Sequence, residues 1–176
     1  MKKILIMAFV LFLAKAATAQ YKPVDAGSAL KFTIGNFGFD VNGTFGGFQG
    51  KIAFDPQNPT TASFDVTIDA ATVNTDNQLR DSHLKGGDYF DVADYPRIRL
   101  TSGKITGSKN SYKFTGTLTI KGKSKDISFP FTAVPAADGY VFSGTFKINR
   151  KDFDIGGTST ISNELQVSLS VHAVKA

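Results

Sequence analysis

Y-K-F-T-G-T-L-T-I, Tyr112 to Ile120, decides the fold. Tyr112, Phe114, Gly116, Leu118 and Ile120 share one parity, while Lys113, Thr115, Thr117 and Thr119 occupy the other. Successive side chains of a strand point to opposite faces, so this period of two describes a strand with one dry and one wet face. Antiparallel sheets are built from such strands.

The same alternation runs outward in both directions. Downstream come Ile127, Phe129, Phe131 and Ala133, then Tyr140, Phe142, Gly144, Phe146 and Ile148, then Leu165, Val167, Leu169 and Val171. Upstream lie Phe64, Val66 and Ile68, and Leu30, Phe32 and Ile34. Between Phe39 and Phe54 the parity slips: Phe39, Val41, Gly43 and Phe45 are odd, whereas Phe48, Gly50, Ile52 and Phe54 are even. Gly46-Gly47 stands at the change and predicts a β-bulge or sharp bend inside one long strand. Turns are marked by Asp55-Pro56 with Asn58-Pro59, by Gly107 to Asn110, by Lys121-Gly122-Lys123 and by Asp138-Gly139. The pattern predicts an all-β domain of about eight antiparallel strands, mostly joined as hairpins.

A barrel and a sandwich both satisfy this spacing. An eight-stranded barrel has an interior that side chains fill or that holds one small ligand. Gly116, Gly144 and Ala133 lie on the apolar face among phenylalanines, where they either border a cavity or make room for a neighbouring ring. Sixteen Phe and no Trp describe an interior with few polar handles.

The first nineteen residues predict a cleaved signal peptide. Lys2 and Lys3 precede an apolar run, Ile4 to Ala14, too short to span a bilayer, and Ala17-Thr18-Ala19 is a small-x-small cleavage site. The mature domain is then 20–176, in the periplasm or secreted. Subtracting the leader's three Lys from 20 basic residues leaves 17 against 15 acidic ones, or +2, too balanced to suggest nucleic-acid binding. The chain has no Cys and two His, so disulfides and a thiolate metal site are excluded and a zinc site lacks ligands. No cofactor is implied.

One long segment breaks the alternation: T-V-N-T-D-N-Q-L-R-D-S-H-L-K-G-G-D-Y-F-D-V-A-D-Y-P, Thr72 to Pro96. With N-F-G-F-D-V-N-G-T-F-G-G-F-Q-G (36–50), G-T-L-T-I-K-G (116–122) and I-N-R-K-D-F-D-I (148–155), it resembles the YceI-like family along nearly the whole mature chain. Many family members carry His near the position of Asn36, and its absence here weakens any role for that position. The resemblance implies a lipocalin-like barrel around a long apolar tunnel that binds polyprenyl chains, fatty acids or their amides. On that basis the barrel interior is expected to be lined by Phe32, Ile34 and Phe39 near the start, and by Phe64, Val66 and Leu100 in the middle. Phe114, Gly116, Leu118 and Phe129 follow, then Phe142, Gly144, Phe146 and Leu169.

The segment Asp76–Phe90 is expected to form a short helix or loop at one barrel end, with Leu79, Leu84 and Phe90 facing the cavity. Arg80, Asp81 and His83 do not make a catalytic set, because no hydroxyl has a base held by a third group. Arg80 and Asp81 are expected to pair or to bond loop backbone, with Arg150 and Asp152 as further partners for Asp81 or Asp91. Arg80 and His83 are the candidates for meeting a headgroup at the mouth. His172 falls on the polar parity and is expected in solvent.

The leading function is a periplasmic carrier, store or scavenger of a long-chain lipid or polyprenyl ligand, not an enzyme and not integral to the membrane. A solid-core structural domain and an outer-membrane barrel are the competing readings. The outer-membrane barrel would turn its apolar face to lipid and gather aromatics into girdles, whereas these phenylalanines are spread along the strands. The oligomeric state stays open, a homodimer included.

Overall fold

The computed structural model describes residues 19–158 and 160–176. The expected signal segment lies outside them apart from Ala19. The strands are β1 (Gln20–Pro23), β2 (Ala29–Asn36), β3 (Phe39–Ala53), β4 (Ser63–Asn74), β5 (Arg97–Ser108), β6 (Ser111–Ile120), β7 (Lys123–Ala136), β8 (Gly139–Asn149) and β9 (Ile161–Lys175). One α-helix, α1 (Gln78–Lys85), falls between β4 and β5.

Every pairing is antiparallel, and β2 to β9 follow one another as neighbours until β9 returns to β2. Eight strands thus close a barrel and leave no sheet edge around its girth. The ninth, β1, was not foreseen. It is four residues long and fits beside β9 beyond the start of β2, pairing Tyr21 with Lys175 on one side and with Ile52 of β3 on the other.

Local chemistry accounts for the connections. The loops Phe37-Gly38, Lys109-Asn110 and Lys121-Gly122 are two residues long and have positive φ at both positions (50° and 82°, 53° and 66°, 48° and 69°). That backbone matches the twist of the strands it joins. The expected bulge is present: pairing of β3 with β4 slips between Thr44 and Gly46 and again between Gly46 and Gln49. Gly47 has φ +68°, and a Cβ there would lie 2.6 Å from that of Asp69, so the bend requires glycine.

Aromatic packing closes one barrel end. Phe54, 1% exposed, stands edge-on to Phe64, Tyr112, Tyr140 and Phe142, with ring centroids 5.2–6.4 Å apart. Such edge-to-face pairs are favoured by the ring quadrupoles and contribute about 0.5–1.5 kcal/mol each beyond burial. A second core cluster, including Phe32, Phe45, Ile68 and Phe153, lies toward the other end, where α1 and the 86–95 loop sit. The outward positions of β6 (Ser111, Lys113, Thr115) are exposed.

Candidate functional site

Between the two clusters the barrel is hollow. An inner cavity of ≈ 100 Å³ abuts the aromatic plug and is bordered by Phe64, Phe114, Phe129, Phe131 and Phe142. An outer cavity of ≈ 130 Å³ lies toward the opposite end, under Phe32, Phe45, Leu84, Tyr89 and Phe90. Leu30, Ile68, Ile98, Leu118 and Phe146 border both, so the two adjoin along the barrel interior with these residues as their common wall. A water needs about 10–15 Å³ of such space and two to four polar partners, which these walls do not supply. The few polar wall residues are Thr67 and Arg99 in the inner compartment and Arg150 in the outer one. Arg99 spends its guanidinium on the exposed Asp65 carboxylate, 2.8 and 2.7 Å away. That pair holds the Asp65 carboxyl below the usual carboxylate range.

All but three of the expected lining residues border this space; Phe39, Gly116 and Gly144 do not. Phe39 is 78% exposed. β4 first meets β3 at Thr44, five residues in from Phe39, so the β3 arm of the hairpin runs past β4 and Phe39 has no neighbour on that side, although β9 still pairs with β2 as far as Asn36. Gly116 serves a close backbone approach: a Cβ would lie 2.1 Å from the Thr101 carbonyl oxygen, beside a bulge of β5 at Ser102–Lys104. Gly144 leaves room for the Phe129 ring, which a Cβ would approach to 3.2 Å. Gly144 follows the interdigitation reading, Gly116 is held by the backbone approach instead, and neither opens the cavity.

The polar signature builds the mouth. Asn77 caps α1, its Oδ1 accepting the Arg80 N–H at 3.0 Å. Asp81 accepts from the Thr75 N–H and hydroxyl, and Arg80 donates to the Thr75 hydroxyl and carbonyl, all within 2.6–2.9 Å. Both side chains therefore bond loop backbone, as expected, and neither pairs with the other. Leu84 and Phe90 roof the outer compartment, with Phe90 edge-on to Phe45 at 5.3 Å, whereas Leu79 is 70% exposed and borders only the vestibule outside it. Beside α1 lies a vestibule of ≈ 330 Å³ bordered by Asn36, Val41, Thr75, Arg80 and His83. It shares Phe32, Ile34, Leu84, Tyr89 and Ile161 with the outer compartment.

Three residues differ from expectation. Arg150 does not pair with Asp81 or Asp91. It is 2% exposed and donates to the carbonyls of Ile155, Gly156, Ile161 and Ser162, tying the loop after β8 to β9. A charge flanked by Asn149 and Lys151 gave no sign of this burial. His172 is not simply solvated: Nε2 lies 2.7 Å from Asp138 and Nδ1 3.3 Å from the Ala26 carbonyl. The Asp138 bond raises the imidazole pKa above its ordinary value. Asn36, where the absence of His weakened any expected role, borders the vestibule with a buried Oδ1 that has no hydrogen-bond donor among the described residues.

The YceI-like domain family matches residues 21–173. The chain belongs to the YceI-like family. Among curated YceI-like relatives, Protein YceI of Escherichia coli O157:H7 is 31% identical over 172 residues, covering 91% of this chain and 89% of that one. The structure of BcnA from Burkholderia cenocepacia superimposes with a TM-score of 0.77 at 28% identity, over 83% of this chain and 96% of that one. A polyisoprenoid binding domain from Saccharophagus degradans implicated in plant cell wall breakdown shares the fold, with a TM-score of 0.73 at 16% identity over 90% and 99% of the two chains. The YceI-like barrel is thus a wall of hydrogen-bonded strands around two adjoining apolar compartments, with a largely apolar vestibule at one end that carries a few polar side chains.

Proposed function

We propose that this protein is a periplasmic carrier, store or scavenger that holds one long-chain lipid, a polyisoprenoid or a fatty acyl chain, inside the barrel of its mature domain, 20–176. The observation that carries the reading is the row of two adjoining apolar compartments along the barrel interior, the inner one against the aromatic cluster around Phe54 and the outer one sharing wall residues with the vestibule. The polyisoprenoid-binding domain of the same fold supports that ligand class. The Lys2-Lys3, Ile4–Ala14 and Ala17–Ala19 pattern supports export.

The headgroup sits in the vestibule. Arg80, which has no carboxylate partner among the described residues, donates to its oxygens. Asn36 Oδ1 accepts a hydrogen bond from a hydroxyl or amide on the head, and His83 borders the same space. The chain does no chemistry on this ligand: the Asp81 carboxylate and two arms of Arg80 are engaged with Thr75 and not free to act as base and electrophile. The apolar face lines the interior and outward Lys113 and Thr115 are exposed, the reverse of what a lipid-embedded barrel requires.

Native mass spectrometry of gently purified protein, followed by organic extraction, tests this reading. A single adduct whose extract is a long-chain amphiphile is expected. Protein that carries no adduct, and takes none when supplied, would favour a solid structural domain.

A further inference from the structure

Phe37 and Phe39 stand in water at the tip of the β2–β3 hairpin, 74% and 78% exposed. Phe37 also takes a left-handed backbone, φ 50°, at a turn position that Asn, Asp or Gly ordinarily fills. For a bulky side chain that conformation is costly. Both the exposure and the strain work against the isolated molecule, and such costs concentrate where a surface meets something else.

The location says what. Phe39 shares a face with Val41, which borders the vestibule, and lies one same-face step, roughly 6–7 Å, farther out. Across the opening, Leu79 is 70% exposed on α1. The other exposed side chains of that helix are Gln78, Ser82, His83 and Lys85, while its only carboxylate, Asp81, is turned toward Thr75. Asp40 and Asp76 are the exposed carboxylates flanking this rim. Two Phe and one Leu amount to a few hundred Å² of apolar surface at about 150–250 Å² per aromatic ring. A stable protein–protein interface buries about 1,200–2,000 Å² in total, or roughly 600–1,000 Å² on each partner. The patch is too small for a second copy, and it surrounds an opening into an apolar cavity.

We propose that Phe37, Phe39 and Leu79 form a bilayer-docking rim. The hairpin tip dips into the boundary between headgroups and acyl chains, Lys85 lies toward anionic phosphates, and the vestibule then opens directly onto the lipid surface. Resting on the carrier reading, this adds how a chain enters and leaves the barrel without crossing water.

Flotation of the mature protein with phosphatidylethanolamine–phosphatidylglycerol vesicles, paired with the transfer rate of a fluorescent long-chain fatty acid from them, tests the rim. The variant is Phe37→Asn with Phe39→Thr, which touches no cavity wall and relieves the turn. Its flotation and transfer should fall about ten- to hundredfold, the loss expected for withdrawing two partly inserted rings. Loading with the same fatty acid added from ethanol should match wild type, and Tm should hold or rise. A double variant that floats and transfers like wild type would overturn the proposal, as would wild-type protein that ignores vesicles. So would a variant whose only change is loss of a dimer in sedimentation, which would assign the tip to a second copy. Wild-type protein that floats but loads no chain from either source would overturn the carrier reading, and the rim's delivery role with it.

Discussion

One oxygen of Asp81 accepts two hydrogen bonds from Thr75, 2.9 Å from its N–H and 2.6 Å from its hydroxyl. The neighbouring Arg80 donates through Nε to the same hydroxyl oxygen at 2.7 Å, completing a clamp between the end of β4 and α1. The polar segment that interrupts the strand alternation thus holds a helix beside the mouth. Asp81→Ala removes the acceptor and strands the Thr75 N–H, so a stability loss of about 1–3 kcal/mol is expected. The larger consequence is kinetic: α1 should exchange its amide hydrogens faster and ligand should dissociate faster. Unchanged exchange in α1 with unchanged release would contradict the clamp.

The two apolar-face glycines make a paired prediction. Gly116→Ala drives a Cβ against the Thr101 backbone carbonyl and should cost about 1–3 kcal/mol. Gly144→Ala meets Phe129 and the Pro130 carbonyl at 3.1–3.3 Å. The lost unfolded-chain entropy of glycine offsets that contact, leaving stability within about 1 kcal/mol of wild type. Urea unfolding of the ligand-stripped proteins separates them, and equal losses would show that the Thr101 approach is not what requires glycine.

Arg150 is the buried cation of the barrel's open end, and several carbonyls converge on it. Arg150→Ala should destabilise by about 2–4 kcal/mol, since hydrogen bonds to charged groups contribute more than neutral ones and the carbonyls lose their donor. Tyr89 packs where a Cβ on Gly156 would stand, so the roof of the outer compartment should loosen with the loop. Thermal melts report the first effect and Tyr fluorescence the second. A variant as stable as wild type would refute the anchoring role.

His172 confers a pH dependence of defined sign. Its pKa is raised in the folded protein, chiefly by Asp138. The stabilisation is therefore complete below the unfolded value of about 6.5 and disappears as pH climbs through the raised folded value. The Tm gap between wild type and His172→Gln should be widest at mildly acidic pH and narrow on the alkaline side. A gap that does not change with pH would contradict the ion pair.

Much of this fold was legible in the chain because its strands alternate with little noise. Tyr112 to Ile120 forms a single strand, and the parity slip at Gly46-Gly47 is a bulge in the structure. The barrel's closure needed the family resemblance, since spacing alone also fits a sandwich. What stayed hidden depends on distance across the barrel. Parity places Phe39 on the inner face but cannot say that β3 outruns β4 there. Parity likewise cannot distinguish a glycine that borders space from one pressed against a carbonyl, as Gly116 is. The burial of Arg150 and the orphan oxygen of Asn36 arise from loops folding back over the barrel end, which no local pattern records.

The central claim is that the hollow interior holds a hydrocarbon chain by apolar contact. Affinity of the ligand-stripped protein for a homologous series of saturated fatty acids, measured by displacement of a fluorescent acid, tests it most directly. Each added CH₂ buried in the two compartments contributes about 0.8 kcal/mol, or roughly a fourfold gain. Affinity should climb with chain length and level off once the space between Phe90 and the Phe54 plug is full. Affinity that is flat across the series while responding steeply to the headgroup would contradict the account.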